Sequence, residues 1–123
     1  MMNVLVFIGG AVLISWGLFH LVPTGKIVSS FGPISLESRR ILTMEWIAEG
    51  LVHVALGTTV ICVTALGDSG STADLVYRCV AGLLLAIAAL TALTGARTPV
   101  IWFKVCPFLL SGVAALLLIR SWT

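Results

Sequence analysis

Charged side chains make up only 10% of this 123-residue chain, while 59% of its residues are hydrophobic. Soluble domains carry about 25% charged residues, so this composition cannot clothe a folded surface in polar groups and points to a bilayer. Basic clusters are also missing. Seven Lys and Arg residues, a formal net charge of +2 and no basic run interleaved with aromatics exclude nucleic acid as a partner. The three cysteines, Cys62, Cys79 and Cys106, lack paired metal or redox spacing, and an odd number cannot close a disulfide framework. Buried thiols are the expectation, with a Cys62–Cys79 bridge across a short connection as the lesser alternative. There is no glycine-rich phosphate loop and no serine nucleophile in a recognisable context, which removes nucleotide and hydrolase readings. No basic segment precedes the first apolar run, so that run is expected to be a retained span rather than a removable signal peptide.

What remains is apolar sequence broken at three places. Four spans are expected, over about 4–22, 41–66, 75–94 and 100–119, each near the length that crosses a hydrocarbon core. Pro23, Gly25, Gly32 and Pro33 interrupt an 18-residue first connection, a candidate lid whose Ile27, Val28 and Phe31 can dip into the interface. Ser35 is placed to cap the second helix and Gly67 to end it. The turn from Asp68 to Gly70 is short, and Ser71 with Asp74 resembles a capping box for the third helix. Gly95 suits the end of that helix, and Thr98 with Pro99 the start of the fourth. Short second and third connections imply antiparallel neighbours, hence an all-α integral membrane bundle of up-down-up-down topology, in one domain. Small residues suited to close packing recur at Gly9, Gly10, Gly17, Gly50, Gly57, Ala81, Gly82, Ala86, Ala89, Gly112, Ala114 and Ala115. Trp46, Trp102 and Trp122 fall near span ends, where indole rings prefer the interface, while Trp16 lies deeper.

The most informative feature is a stripe of ionisable residues at helical spacing, Glu45, Glu49 and His53, inside the second apolar run. Each charge near a bilayer centre costs roughly 2.5–3.5 kcal/mol on insertion scales, so such groups face a partner, a ligand or a water-filled space. Antiparallel topology brings His20 and Lys104 to similar depth. The expected pocket has His20 at its mouth, Glu45 and Glu49 along one wall, His53 at the floor, Lys104 opposite and Arg97 above. A Glu49–His53 hydrogen bond one turn apart is the purely structural alternative, and for Lys104 so is snorkelling to the headgroups. Pro107 frees the carbonyl of Phe103 beside Lys104.

Glu45, Glu49, His53 and His20 also make a candidate divalent-metal set. Helices three and four supply no intramembrane carboxylate of the kind that di-iron bundles use, so no metal is assigned. Haem between the two histidines is disfavoured, because helical rise sets them about 15 Å apart in depth. One axial histidine stays open, and no cofactor is assigned. Lys26, Arg39, Arg40, Arg97 and Lys104 outnumber Arg78 and Arg120 across the bundle, which places the pocket mouth toward the cytoplasm and both termini outside.

The run Gly17-Leu18-Phe19-His20-Leu21 closing helix one, a long connection with Phe31 and Gly32, and an acidic residue ahead of Gly57 in helix two resemble small DoxX-like membrane proteins. The resemblance covers the whole four-span plan, although His20 stands where such proteins often have Lys. It implies an accessory or partner subunit, in some cases beside quinone-linked redox complexes, in a bacterial inner membrane, and supplies no catalytic residues. The favoured function is therefore a non-catalytic membrane protein, contacting membrane lipid, a partner subunit or a second copy of itself. His20, Glu49 and His53 would hold the polar head of a lipid or quinone-like molecule. Two alternatives stand beside it: a proton-coupled carrier of the small multidrug resistance type using Glu49, and a membrane enzyme with His53 and Glu49 as acid and base.

Overall fold

The structure, a computed structural model, describes residues 1–67 and 70–123. Four long helices dominate: α1 (Met2–Leu21), α3 (Leu36–Leu66), α4 (Ser71–Leu93) and α5 (Ile101–Arg120). All four are long and apolar enough to cross a membrane. Together they form a small four-span membrane protein. Between α1 and α3 lies a short helix, α2 (Thr24–Ser29), and a single 3-10 turn, Gly95–Arg97, joins α4 to α5. α1 packs along α3, and α4 along α5, as two antiparallel pairs; between the pairs, contact is sparser and runs mainly from α1 to α5.

Each helix end has a local cause. The Ser35 side chain accepts the Ser38 amide at 3.0 Å, as its sequence position predicts, so α3 begins at Leu36, well before its apolar run. Gly32 has φ +78, a conformation that costs glycine nothing and turns the chain from α2 toward that cap. Two expected caps do not form. Ser71 is already helical, with Gly70 as the capping residue and no side-chain cap bond; Asp68 of that expected turn lies outside the described residues. Thr98 donates its hydroxyl back to Gly95 O at 2.7 Å, which commits it to the 3-10 turn, and α5 starts from Val100 instead. Of the three thiols expected to be buried only Cys106 is; Cys62 and Cys79 are exposed on the outside of the bundle, and all three are free, so the alternative Cys62–Cys79 bridge is not made either.

Glycine sets the register of the first pair. A Cβ on Gly57 would stand 2.5 Å from Gly10 O, and one on Gly17 would stand 2.6 Å from Gly50 O. Backbone therefore meets backbone at two levels, seven residues apart on each helix, which is how membrane helices without a hydrophobic drive gain contact. Gly82 and Gly112 have nothing within 4 Å of such a Cβ, and Ala86, Ala89 and Ala115 are exposed, so these small residues are not packing positions. In the second pair Tyr77, Leu84, Leu110 and Leu117 are fully buried and carry the core with Leu13 and Val60 from the first.

Polar side chains tie the far end of the bundle. Arg78 donates to Ser121 O at 2.9 Å and lies over the Trp122 ring, while Arg120 donates to Asn3 Oδ1 at 3.1 Å. Buried Tyr77 shares a 2.9 Å hydrogen bond with Thr64, linking α4 to α3. At the opposite end the polar ties run within the first pair and α2, and a cavity lies between the pairs.

Candidate functional site

Where α1 ends, its last carbonyls lose their helical partners. The His20 carbonyl is claimed twice: by Trp46 Nε1 at 2.8 Å from α3 and by Thr24 Oγ1 at 3.0 Å from α2. These bonds pin the end of α1, the start of α2 and the outer part of α3 to one another. Pro23, Ile27 and Val28 then roof a cavity of about 550 Å³, within the range typical of small-molecule sites. The expected lid segment is thus a helical roof. Trp16, Phe19 and His20 of α1, Glu45, Trp46 and Glu49 of α3, Thr91 of α4 and Trp102, Phe103 and Cys106 of α5 contribute to the walls.

Within it, His20 is the meeting point. Its Nε2 lies 3.7 Å from Glu49 Oε1, and its ring stacks on Trp46 (centroids 5.1 Å, 28° between planes) and on His53 (5.7 Å, 18°). Both imidazoles have their tautomers set by backbone: Nδ1 of His20 faces Trp16 O at 3.1 Å, and Nδ1 of His53 faces Glu49 O at 2.8 Å. A carbonyl only accepts, so each Nδ1 carries hydrogen and each Nε2 is a bare lone pair when its ring is neutral. At 3.7 Å, His20 Nε2 and Glu49 Oε1 are within ion-pair range but beyond hydrogen-bond distance. His53 is fully buried, and its Nε2 and the indole nitrogen of Trp16 have no hydrogen-bond partner among the described residues.

Several sequence expectations meet here and others part. His20, Glu45 and Glu49 line one cavity, as the stripe suggests. His53 is near them but behind the wall, covered by the His20 ring rather than forming the floor. Its partner is the backbone of Glu49, and the Glu49 carboxylate turns to His20, so the expected Glu49–His53 side-chain bond is not made. Neither Lys104 nor Arg97 lines the cavity; both are exposed. At about 100° per residue, Lys104 lies on the far side of α5 from Cys106, which takes the inward position. The stripe also drifts: successive steps of four residues rotate by about 40°, so His53 sits on the buried line with Gly50 and Gly57 while Glu45 swings to the rim.

The 15 Å depth between the histidines is likewise corrected. Pairing Gly17 with Gly50 sets His20 level with residue 47, leaving about 9 Å along the axis. Side chains lean toward the N-terminus of their own helix, and in an antiparallel pair the two rings lean toward each other. Among the described residues no three or more His, Cys, Asp or Glu side chains converge as a metal site would require. The two imidazoles stack face to face and present no opposed nitrogens across a gap for haem.

Trp46 is the cavity residue that sequence reasoning missed, placed at the membrane interface when it faces the cavity and bonds α1. Its signal was available: it lies three residues from Glu49 and seven from His53, on the same face. Comparison with protein-family models, with curated proteins and with solved structures finds no match for this chain.

Proposed function

We propose that this small four-span membrane protein binds an amphipathic molecule of lipid or quinone-like size in the roofed cavity between its two helix pairs. The observation that carries this reading is the combination of about 550 Å³ of space, walls that are mostly aromatic and aliphatic, and one polar cluster, His20 with Glu45 and Glu49, on one side. Pockets with a few convergent polar groups in an apolar lining bind a ligand by its body and orient it by its head. Intramembrane ionisable groups point the same way. The resemblance to DoxX-like proteins supports an accessory role beside a larger membrane complex, which co-purification from native membranes checks.

The direct test is mass spectrometry of small molecules retained after extraction into lipid nanodiscs. The wild type should retain a stoichiometric amphiphile, and Ala48→Trp, which fills the cavity from α3, should lose it. Equal retention by both proteins would refute the reading.

A further inference from the structure

Two carboxylates, Glu45 and Glu49, stand on the cavity wall, and no Lys or Arg side chain lines it. The one other ionisable nitrogen there is His20, already engaged with Glu49. Even with His20 protonated, negative charge exceeds positive in the cavity. A phosphate or carboxylate head would meet repulsion, and a neutral head could hydrogen-bond there but would gain no charge attraction. Around the carboxylates stand π-faces: Trp46 against Phe103 at 5.7 Å and Phe19 against Trp102 at 5.2 Å. Aromatic faces attract organic cations, most strongly where water is excluded, and a carboxylate among them adds to the attraction.

A second space adjoins the first. Trp16, Phe19 and Trp102 also border a groove of about 380 Å³ on the outer surface between α1 and α5, which continues past Val12 to Ile8 and Leu109. From Phe19 to Ile8 it extends about 16 Å along α1, roughly half a hydrocarbon core. Apart from Ser15 its walls are apolar, and an alkyl chain passing between the shared aromatic side chains would reach the lipid there without crossing the roof of α2.

We propose that the ligand is a cationic amphiphile, an organic ammonium whose head sits between Glu45, Glu49 and the aromatic faces and whose alkyl tail lies in the α1–α5 groove. This rests on the reading of the cavity as a ligand site and specifies the charge of its occupant.

The test uses three probes with one tail: decyltrimethylammonium, decanol and decyl phosphate, titrated onto the intact chain in phosphatidylcholine nanodiscs, with empty nanodiscs as the partition control. The expected result is saturable binding of the ammonium, one per chain, at least tenfold tighter than either analogue. Glu45→Gln with Glu49→Gln should weaken it at least tenfold while decanol binding stays unchanged. Ala11→Trp, which fills the groove from an exposed position, should weaken decyltrimethylammonium but not tetramethylammonium. Decanol or decyl phosphate binding saturably and as tightly as the ammonium would overturn the cationic assignment and leave the cavity reading standing. If no probe saturates above the empty-nanodisc control, both fall. Equal loss of both ammonium probes in Ala11→Trp would overturn the tail placement.

Discussion

Replacing Gly57 with alanine adds one methyl group at the closest approach of α1 and α3. The new Cβ would lie 2.5 Å from Gly10 O and 2.9 Å from Ile14 N, both backbone atoms that no rotamer change can move. Restoring ordinary contact, near 3.4 Å, requires the helices to part by about 1 Å. A gap of half to one ångström forfeits a quarter to a half of each dispersion contact across it, and overpacking of this kind costs about 1–3 kcal/mol. Helix propensity offers little compensation, because a spanning segment stays helical in the bilayer whether or not it is packed. Gly82→Ala is the matched control: nothing lies within 4 Å of its Cβ, and it is expected within about 0.5 kcal/mol of wild type. Unfolding in mixed micelles, titrated with dodecyl sulfate, measures both. Indistinguishable midpoints for the two variants would refute the glycine crossing as the determinant of helix register.

Three further outcomes follow from the same geometry. Trp46→Phe keeps an aromatic face but removes the 2.8 Å bond to His20 O, and should destabilise the fold by about 1 kcal/mol while loosening the roof, read as faster hydrogen exchange at Thr24 and Ile27. Tyr77→Phe should cost about 1 kcal/mol through its lost hydrogen bond with Thr64, measured in the same micelle titration, and leave ligand retention unchanged because Tyr77 is at the other end of the bundle. Lys104→Gln and Arg97→Gln should leave ligand affinity within twofold of wild type, since both side chains face away from the cavity; a tenfold loss in either would place a cation in the site that the geometry excludes.

The fold was largely legible in the sequence because its determinants are local. Apolar runs of membrane length, the Ser35 cap and short second and third connections suffice for four antiparallel spans. Helix register is not local. Hydropathy marks where a chain meets headgroups, whereas α3 begins at Leu36 and its alignment with α1 depends on which glycines touch. Equating span ends therefore pushed His53 too deep by several residues. The facing of Lys104 was more accessible: Cys106, Leu110, Val113 and Leu117 mark a buried line on α5 at helical spacing, and Lys104 is off it. Depth alone cannot reveal that, because residues at one level point in every direction around a helix. The missed role of Trp46 arose similarly, from giving a general interfacial preference priority over the helix face it shares with Glu49.

The sparse contact between the α1–α3 pair and the α4–α5 pair has a thermodynamic consequence. Each pair is cemented internally, by glycine crossings or by leucine packing, but along the cavity the two halves meet through a space. Any molecule seated there touches both, and acts as mortar between blocks that otherwise adhere through the core and the ties at the far end. By mass action, occupancy at a hundred times the dissociation constant adds about 2.7 kcal/mol to the cohesion of the assembled state. The resistance of this bundle to unfolding then becomes a gauge of what its membrane contains.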